Sequence, residues 1–358
     1  MFFDENEKLL AEYARVSRTV GARADYVQGG GGNTSVKLPG GLMAIKASGF
    51  CLKDIRPDGA YAVLDYEALR RFYFGSEPAD LPDVEKAGSE QTRAALKTVE
   101  GLKPLRPSVE AGFHSLLRTF VVHTHSVYAN LAACSDACRE IAAKAFAGAD
   151  YTWGWVPYTD PGANLSFAIR DELRRVETET GRVPSVILMQ NHGVIVHDDD
   201  PDRCLYLQAD ANRRLAAQFG LMSNAFPAVR VKELAGGIWA ADCAYLRESL
   251  RNCVYPYRSF LKQPIYPDQL VFLVGTFFLD KDGVEAGECV ASTKTGEVLM
   301  RMSEGKAQTM AETLTAVFFV REHIMAAGRE CVTLGESAKS FIANWESEKY
   351  RKTLAGAK

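Results

Sequence analysis

Val121-Val122-His123-Thr124-His125-Ser126 is an apolar run that closes on two histidines one residue apart. A strand over residues 119–125 turns both imidazoles to the same face, because side chains alternate along an extended backbone. Alone, the pair reads equally well as two satisfied histidines or as half of a metal site. A second apolar run, Val186-Ile187-Leu188-Met189-Gln190-Asn191-His192-Gly193, also ends in a histidine, here followed by a glycine. Three histidines at the ends of two apolar strands form the ligand set of an open, catalytic zinc-type site: three neutral imidazoles, with the fourth position left for water or substrate.

A chain of 358 residues, 47% hydrophobic and 24% charged, has room for one large domain or two ordinary ones around a sizeable core. Its net charge of −3 offers no electrostatic case for nucleic acid or an anionic membrane. Met1-Phe2-Phe3-Asp4-Glu5 does not begin a signal peptide, and no apolar run reaches the roughly 20 residues that span a bilayer. The eight cysteines include no Cys-x-x-Cys pair. Cys134 and Cys138, four apart in a helix-like stretch, suit core packing, and reduced thiols in a cytoplasmic protein are the expectation.

Upstream of the histidines, residues 5–22 read as a helix ending at Gly21. Gly29-Gly30-Gly31-Gly32-Asn33-Thr34-Ser35 then opens a strand–turn–strand unit with its turn at Pro39-Gly40-Gly41, and Ala47-Ser48-Gly49 follows the second strand. Such loops can point backbone N–H groups at an anion, or they can be plain turns; no P-loop or dinucleotide fingerprint is present. Residues 76–104 are polar and proline-punctuated, as in a surface excursion. Pro107-Ser108 suits the start of a helix carrying Glu110 in its first turn, with His114 on the same face. By itself Glu110 also reads as a helix-dipole glutamate. Helices are expected over 126–147, broken near Ser135, over 163–178 and over 201–219, the last capped by Asp198-Asp199-Asp200. His197 and His323 lie off these constellations and read as structural or surface residues. Strands alternating with helices indicate an α/β domain to about residue 222. Beyond it a polar linker, a helix, the strand-like Gly296-Glu297-Val298-Leu299-Met300-Arg301-Met302 and helices over 304–327 and 335–355 form a smaller α/β extension, residues 225–358.

Taken in order, Gly32-Asn33-Thr34-Ser35, Lys46-Ala47-Ser48-Gly49, Pro107-Ser108-Val109-Glu110, His123-Thr124-His125, Tyr158-Thr159-Asp160-Pro161-Gly162 and Asn191-His192-Gly193 resemble the class II aldolase/adducin family over roughly residues 5–222. Three features are similar to the aldolase portion of bifunctional rhamnulose-1-phosphate aldolase/dehydrogenase proteins. These are the glycine run before Asn33, the 13 positions from Glu110 to His123, and the C-terminal Asn344-Trp345-Glu346-Ser347-Glu348-Lys349-Tyr350. The chain stops where a dehydrogenase domain would begin, which describes a stand-alone aldolase-type protein.

The resemblance implies a central β-sheet flanked by helices, with His123, His125 and His192 holding Zn2+ or another divalent metal and Glu110 as the acid/base. Gly32, Asn33, Ser48, Gly49 and Ser108 would bind substrate phosphate. Val109 stands where fuculose-phosphate aldolases carry a second serine, which removes one donor. Glu110, where the related epimerases carry aspartate, argues against epimerisation. The implied activity is a carbon–carbon lyase acting on a sugar or sugar phosphate through a metal-stabilised enediolate. Decarboxylation or dehydration of a sugar-acid phosphate is the enzymatic alternative, and an adducin-like interaction module the non-catalytic one. The family also implies a homo-oligomer, commonly a tetramer.

Overall fold

The computed structural model describes residues 2–252, 260 and 262–344, so the C-terminal motif lies outside the described residues from Trp345 onward. Helix α1 (Phe2–Gly21) buries Leu10, Tyr13, Val16 and Val20 at helical spacing against the first strands. Strands β1 (Asn33–Leu38), β2 (Leu42–Lys46) and β3 (Tyr61–Asp65) form an antiparallel meander, and β4 (Leu96–Lys97) closes its edge. The other half of the sheet is β5 (Phe120–Thr124), β6 (Trp153–Val156), β7 (Val186–Met189) and β8 (Gly193–Asp198). The order β4-β3-β2-β1-β5-β8-β7-β6 puts both histidine-bearing segments at the centre, where β5 is paired on both sides. Phe120-Val121-Val122 supplies the aromatic and β-branched side chains that fit a pleated surface buried on both faces.

Helices cover the sheet: α2 (Tyr66–Gly75), α3 (Val84–Ala95), α4 (Ala111–Leu116), α5 (Val127–Ala133), α6 (Cys138–Ala145), α7 (Ala163–Thr180) and α8 (Pro201–Ala217). The polar excursion at 76–104 differs from expectation, because α3 and β4 lie within it. Asp83 caps α3 by accepting from the Lys86 amide at 3.0 Å, and the Glu85 carboxylate accepts from the first amides of α7, Ala163 at 3.0 Å and Asn164 at 2.9 Å. The short α3 exposes most of its surface, which is why no apolar stripe announces it. Asp200 caps α8 through the Asp202 and Arg203 amides, so one residue of the aspartate run acts as a helix cap.

The extension folds as a five-stranded sheet, order β11-β12-β13-β10-β9, from β9 (Arg230–Ala235), β10 (Ile238–Asp242), β11 (Phe277–Leu279), β12 (Cys289–Ala291) and β13 (Val298–Arg301). Sequence reading places a polar linker where the β9–β10 hairpin stands, because that hairpin is only half-buried and its alternation is faint. Two helices complete the extension with α9 (Ala244–Arg251): α10 (Glu304–Ala326) and α11 (Glu336–Asn344). Helix α10 is buried on every side from Thr313 to Arg321, touching α5 as well as β9, β10 and α9. Phe319 sits between Tyr128 and Phe226, and one continuous apolar core runs from α1 through β5 to α10. Among the described residues no helix is long and apolar enough to cross a membrane.

The fully buried Arg170 ties α7 to the end of α2: its guanidinium donates to the Tyr73 carbonyl at 2.8 Å, the Ser76 carbonyl at 2.6 Å and Glu77 at 3.0 Å. Arg170→Met keeps the packing volume but strands two carbonyls, so an unfolding cost of about 3–5 kcal/mol is expected in urea melts, with unchanged far-UV circular dichroism.

Candidate metal centre

His123 lies within β5, opposite Asn33 of β1 and Ile195 of β8. His125 follows two residues later, after the strand ends and before α5 begins. Three bonds fix that exit: Ser126 Oγ accepts from the Tyr128 amide, Asn130 Nδ2 donates to the His125 carbonyl at 3.3 Å, and Gln208 Nε2 donates to Thr124 Oγ1 at 2.8 Å. His192 sits in the tight β7–β8 turn after Asn191, which adopts φ +52°. Gly193 follows because a Cβ there would lie 2.2 Å from the Thr124 carbonyl. The turn is thereby pressed against the end of β5.

These placements bring a ring nitrogen from each of His123, His125 and His192 within 4.8 Å of one another, all buried. The hydrogen bonds of two rings define their tautomers. His123 Nδ1 faces the Val194 carbonyl at 3.1 Å and His125 Nδ1 faces the Asp268 carboxylate at 2.6 Å. Both partners are acceptors, so both Nδ1 atoms carry the proton, and in the neutral rings both Nε2 atoms are bare. The two Nε2 atoms nevertheless stand only 3.1 Å apart. Two lone pairs at that range repel unless a cation lies between them. Burial pushes His123 down to about 4 and His192 well below the usual imidazole range, so neither of these two rings is charged at neutral pH. A tetrahedral ion with bonds of about 2.0–2.1 Å spaces its donors by roughly 3.4 Å, so the donor set fits a divalent metal.

Glu110 does not stand in the first turn of a helix as expected; α4 begins one residue later, and Glu110 occupies its N-cap position at φ −89°, ψ 9°. From there one carboxylate oxygen, Oε1, lies 3.4 Å from His192 Nε2 and 3.8 Å from His123 Nε2 and has no hydrogen-bond partner. The other, Oε2, accepts from Asn33 Nδ2. Asn33 in turn accepts through Oδ1 from His114 Nε2, and His114 Nδ1 meets Ser35 Oγ at 2.7 Å. The sequence relates His114 to Glu110 as neighbours on one helical face, whereas here the link runs through Asn33.

The remaining predicted residues gather on the same side. Ser108 Oγ accepts from Asn33 Nδ2 at 3.2 Å, and the Ser48 amide donates to the Arg106 carbonyl at 2.9 Å, laying the 47–50 loop along residues 106–108. Gly49 is exposed at φ +87°, and Gly32 precedes β1 against the His123 carbonyl. Lys46 is buried rather than solvent-facing, with Nζ donating to the Phe50 carbonyl at 2.8 Å and the Gly30 carbonyl at 3.4 Å. A cleft of about 970 Å³ abuts this group at Ser108, with Arg93 and Arg106 on its wall and Ser337, Ser340 and Phe341 of α11 opposite in the chain. Asp268 was not singled out from sequence, since it stands in no local pattern of its own, and Asn191 was read only within the Asn191-His192-Gly193 motif.

A family model described as the class II aldolase and adducin N-terminal domain matches residues 11–218. Among solved structures, the chain is similar to the N-terminal class II aldolase domain of a conserved protein from Thermoplasma acidophilum at 21% identity, covering 57% of this chain and 90% of that one, with a TM-score of 0.47. It is similar to an L-fuculose 1-phosphate aldolase at 20% identity, covering 60% and 88%, with a TM-score of 0.38. A sugar-phosphate aldolase from Thermotoga maritima is 15% identical over 58% and 94%, with a TM-score of 0.40. No curated protein matches the chain.

Burial also holds His114 well below the usual range and His197 at about 3. His114, His123, His192 and His197 take up protons in the unfolded chain at about pH 6.5 but not in the folded one. The metal-free protein is therefore expected to keep its full stability above about pH 6.5 and to lose it as the pH falls towards 4, each histidine contributing on the order of 1 kcal/mol per pH unit. Urea midpoints at pH 7.5 and 5.5 check this; equal midpoints would contradict the neutral, buried assignment.

Proposed function

Because the chain belongs to the class II aldolase and adducin N-terminal domain family, we propose that it is a divalent-metal-dependent aldolase acting on a hydroxy-ketone sugar or its phosphate. One observation carries this reading: two bare imidazole nitrogens 3.1 Å apart, faced by a carboxylate with one anchored and one unpartnered oxygen. His123, His125 and His192 would hold Zn2+ or a similar ion. When bound, that ion supplies a Lewis acid to stabilise negative charge developing on the substrate oxygens.

Glu110 performs the proton transfer. Its anchored Oε2 fixes the plane of the carboxylate, and its open Oε1 faces the cluster, within reach of a carbon beside the polarised carbonyl. Burial of all four side chains keeps bulk water from competing for that proton. Gly32, Ser48, Gly49 and Ser108 form the anion pocket, with Asn33 serving both Ser108 and Glu110. The buried Lys46 lends positive charge between the 29–32 and 47–50 loops. The catalytic unit is residues 1–222, close in kind to the aldolase portion of the rhamnulose-1-phosphate aldolase/dehydrogenase proteins, and the working assembly is a homo-oligomer. The described cysteines are all free, which supports a reducing, cytoplasmic setting.

The test is a screen of ketose phosphates, free ketoses and sugar-acid phosphates for released aldehyde or CO2, with metal content followed in parallel. About one divalent ion per chain is expected. His192→Ala should lose that ion, whereas Glu110→Gln should retain it and lose roughly 100-fold or more of turnover. Metal retained in His192→Ala, or full activity in Glu110→Gln, would remove the corresponding role.

Phosphorylated substrates should be preferred over free sugars. Losing one hydrogen bond to a charged group costs about 1.5–3 kcal/mol, so Ser48→Ala should lower kcat/KM for the phosphorylated form by about 10- to 100-fold and leave the free sugar nearly unaffected. Equal values for both substrate forms in both proteins would make these loops structural turns.

A further inference from the structure

The carboxylate that fixes the His125 tautomer comes from the extension, 143 residues away in sequence. Asp268 follows Pro267 at the head of a π-helical turn, Gln269–Leu273, and is 1% exposed. A carboxylate buried this deeply is costly unless it is paired, and Asp268 Oδ2 meets His125 Nδ1 at 2.6 Å. Its loop is firmly held. The Ile265 amide donates to Gln269 Oε1 at 3.0 Å, the Gln269 amide to the Tyr266 carbonyl at 3.2 Å, and the Leu334 amide to the Pro264 carbonyl at 2.8 Å.

Two further contacts join the same loop to the histidines. A Cβ on Gly31 would lie 2.8 Å from Asp268 Oδ2 and 3.1 Å from His125 Nδ1, so the glycine run leaves room for this pair. On the other flank, Asn191 Nδ2 donates to the Ile265 carbonyl at 2.8 Å and the Val332 carbonyl at 2.9 Å. The extension thereby braces the turn that carries His192.

We propose that Asp268 is a positioning residue of the metal centre, and that the extension completes a ligand set which residues 1–222 do not orient alone. This rests on the metal-binding reading above. By accepting the Nδ1 proton, the carboxylate aims a bare Nε2 at the ion and makes the ring a stronger donor. His123 has only the Val194 carbonyl in the equivalent place, so Asp268 supplies the one charged acceptor behind these two ligands.

The full-length protein is titrated with Zn2+ against a chromophoric chelator, and with Co2+ while its d–d absorption is recorded. The proteins compared are wild type, Asp268→Ala, Asp268→Asn and Gly31→Ala. Asp268→Ala is expected to weaken Zn2+ binding by about 10- to 100-fold and to alter the Co2+ spectrum, which a merely structural residue would not do. Asp268→Asn retains an acceptor without the charge and should fall between wild type and Asp268→Ala. Gly31→Ala should resemble Asp268→Ala although both side chains of the pair remain. Wild-type affinity and spectrum in Asp268→Ala overturn the proposal. Should that variant not fold, wild-type affinity in both Asp268→Asn and Gly31→Ala overturns it. Absence of Zn2+ binding by the wild type instead removes the metal reading itself, and this proposal with it.

Discussion

Two unprotonated imidazole nitrogens held 3.1 Å apart in a buried site are the constraint around which this protein is assembled. In water such nitrogens would turn away from each other or take a proton. Here the rings cannot turn away, because the Val194 carbonyl and the Asp268 carboxylate fix them by their far nitrogens, and burial disfavours the imidazolium of His123. A cation held between the rings, as proposed above, would remove their repulsion. The central position of β5 keeps the rings at this spacing, since a strand paired on both sides cannot shift to separate its histidines.

The same constraint explains why the two parts of the chain share one core. Helix α10 is buried continuously from Thr313 to Arg321, and α5 gives it cover immediately after His125. Packing of α10 through Phe319 onto Tyr128 draws the extension over the histidine end of the sheet, where the 264–268 loop meets the three rings. Apolar burial thus provides the attachment, and the polar contacts at Asp268 and Asn191 provide the register. Non-directional packing cannot by itself place a carboxylate within hydrogen-bonding distance of one nitrogen.

What was legible in the sequence follows from how local each signal is. His-x-His at the end of an apolar strand and Asn-His-Gly at a turn are written within a few residues, and both lie where that reading places them. The order of motifs carried the family, and the central sheet with its flanking helices agrees with it. Asp268 was hidden because its partner is 143 residues distant and its neighbours, Pro267 and Gln269, form no pattern with it. From composition the glycine run reads as a plain turn or an anion loop, yet Gly31 answers to the Asp268–His125 pair, a close approach that only the folded chain contains. Helix α3 and the β9–β10 hairpin escaped for the opposite reason: they bury too little for their periodicity to show.

The support behind Glu110 has a direction that the chemistry of its members imposes. A carboxylate can only accept, so Asn33 must present its NH2 to Oε2 and its carbonyl oxygen to His114. His114 therefore carries its proton on Nε2, which leaves Nδ1 to accept from the Ser35 hydroxyl. Burial keeps His114 neutral, and a protonated ring would have no acceptor at Nδ1 unless Ser35 reversed. Each donor thus points towards Glu110, and the line ends on Oε2. A side chain anchored at one oxygen rotates little, so Oε1 stays aimed at His192 and His123 without a bond of its own. An oxygen satisfied by the protein would have to break a bond before taking a proton; one left open beside a cluster of bare imidazoles does not. The asymmetry between the two oxygens follows from Asn33 standing opposite His123 in the β1–β5 register, two residues after the Gly31 that admits Asp268. The strand pairing that places His123 also places Glu110 beside it.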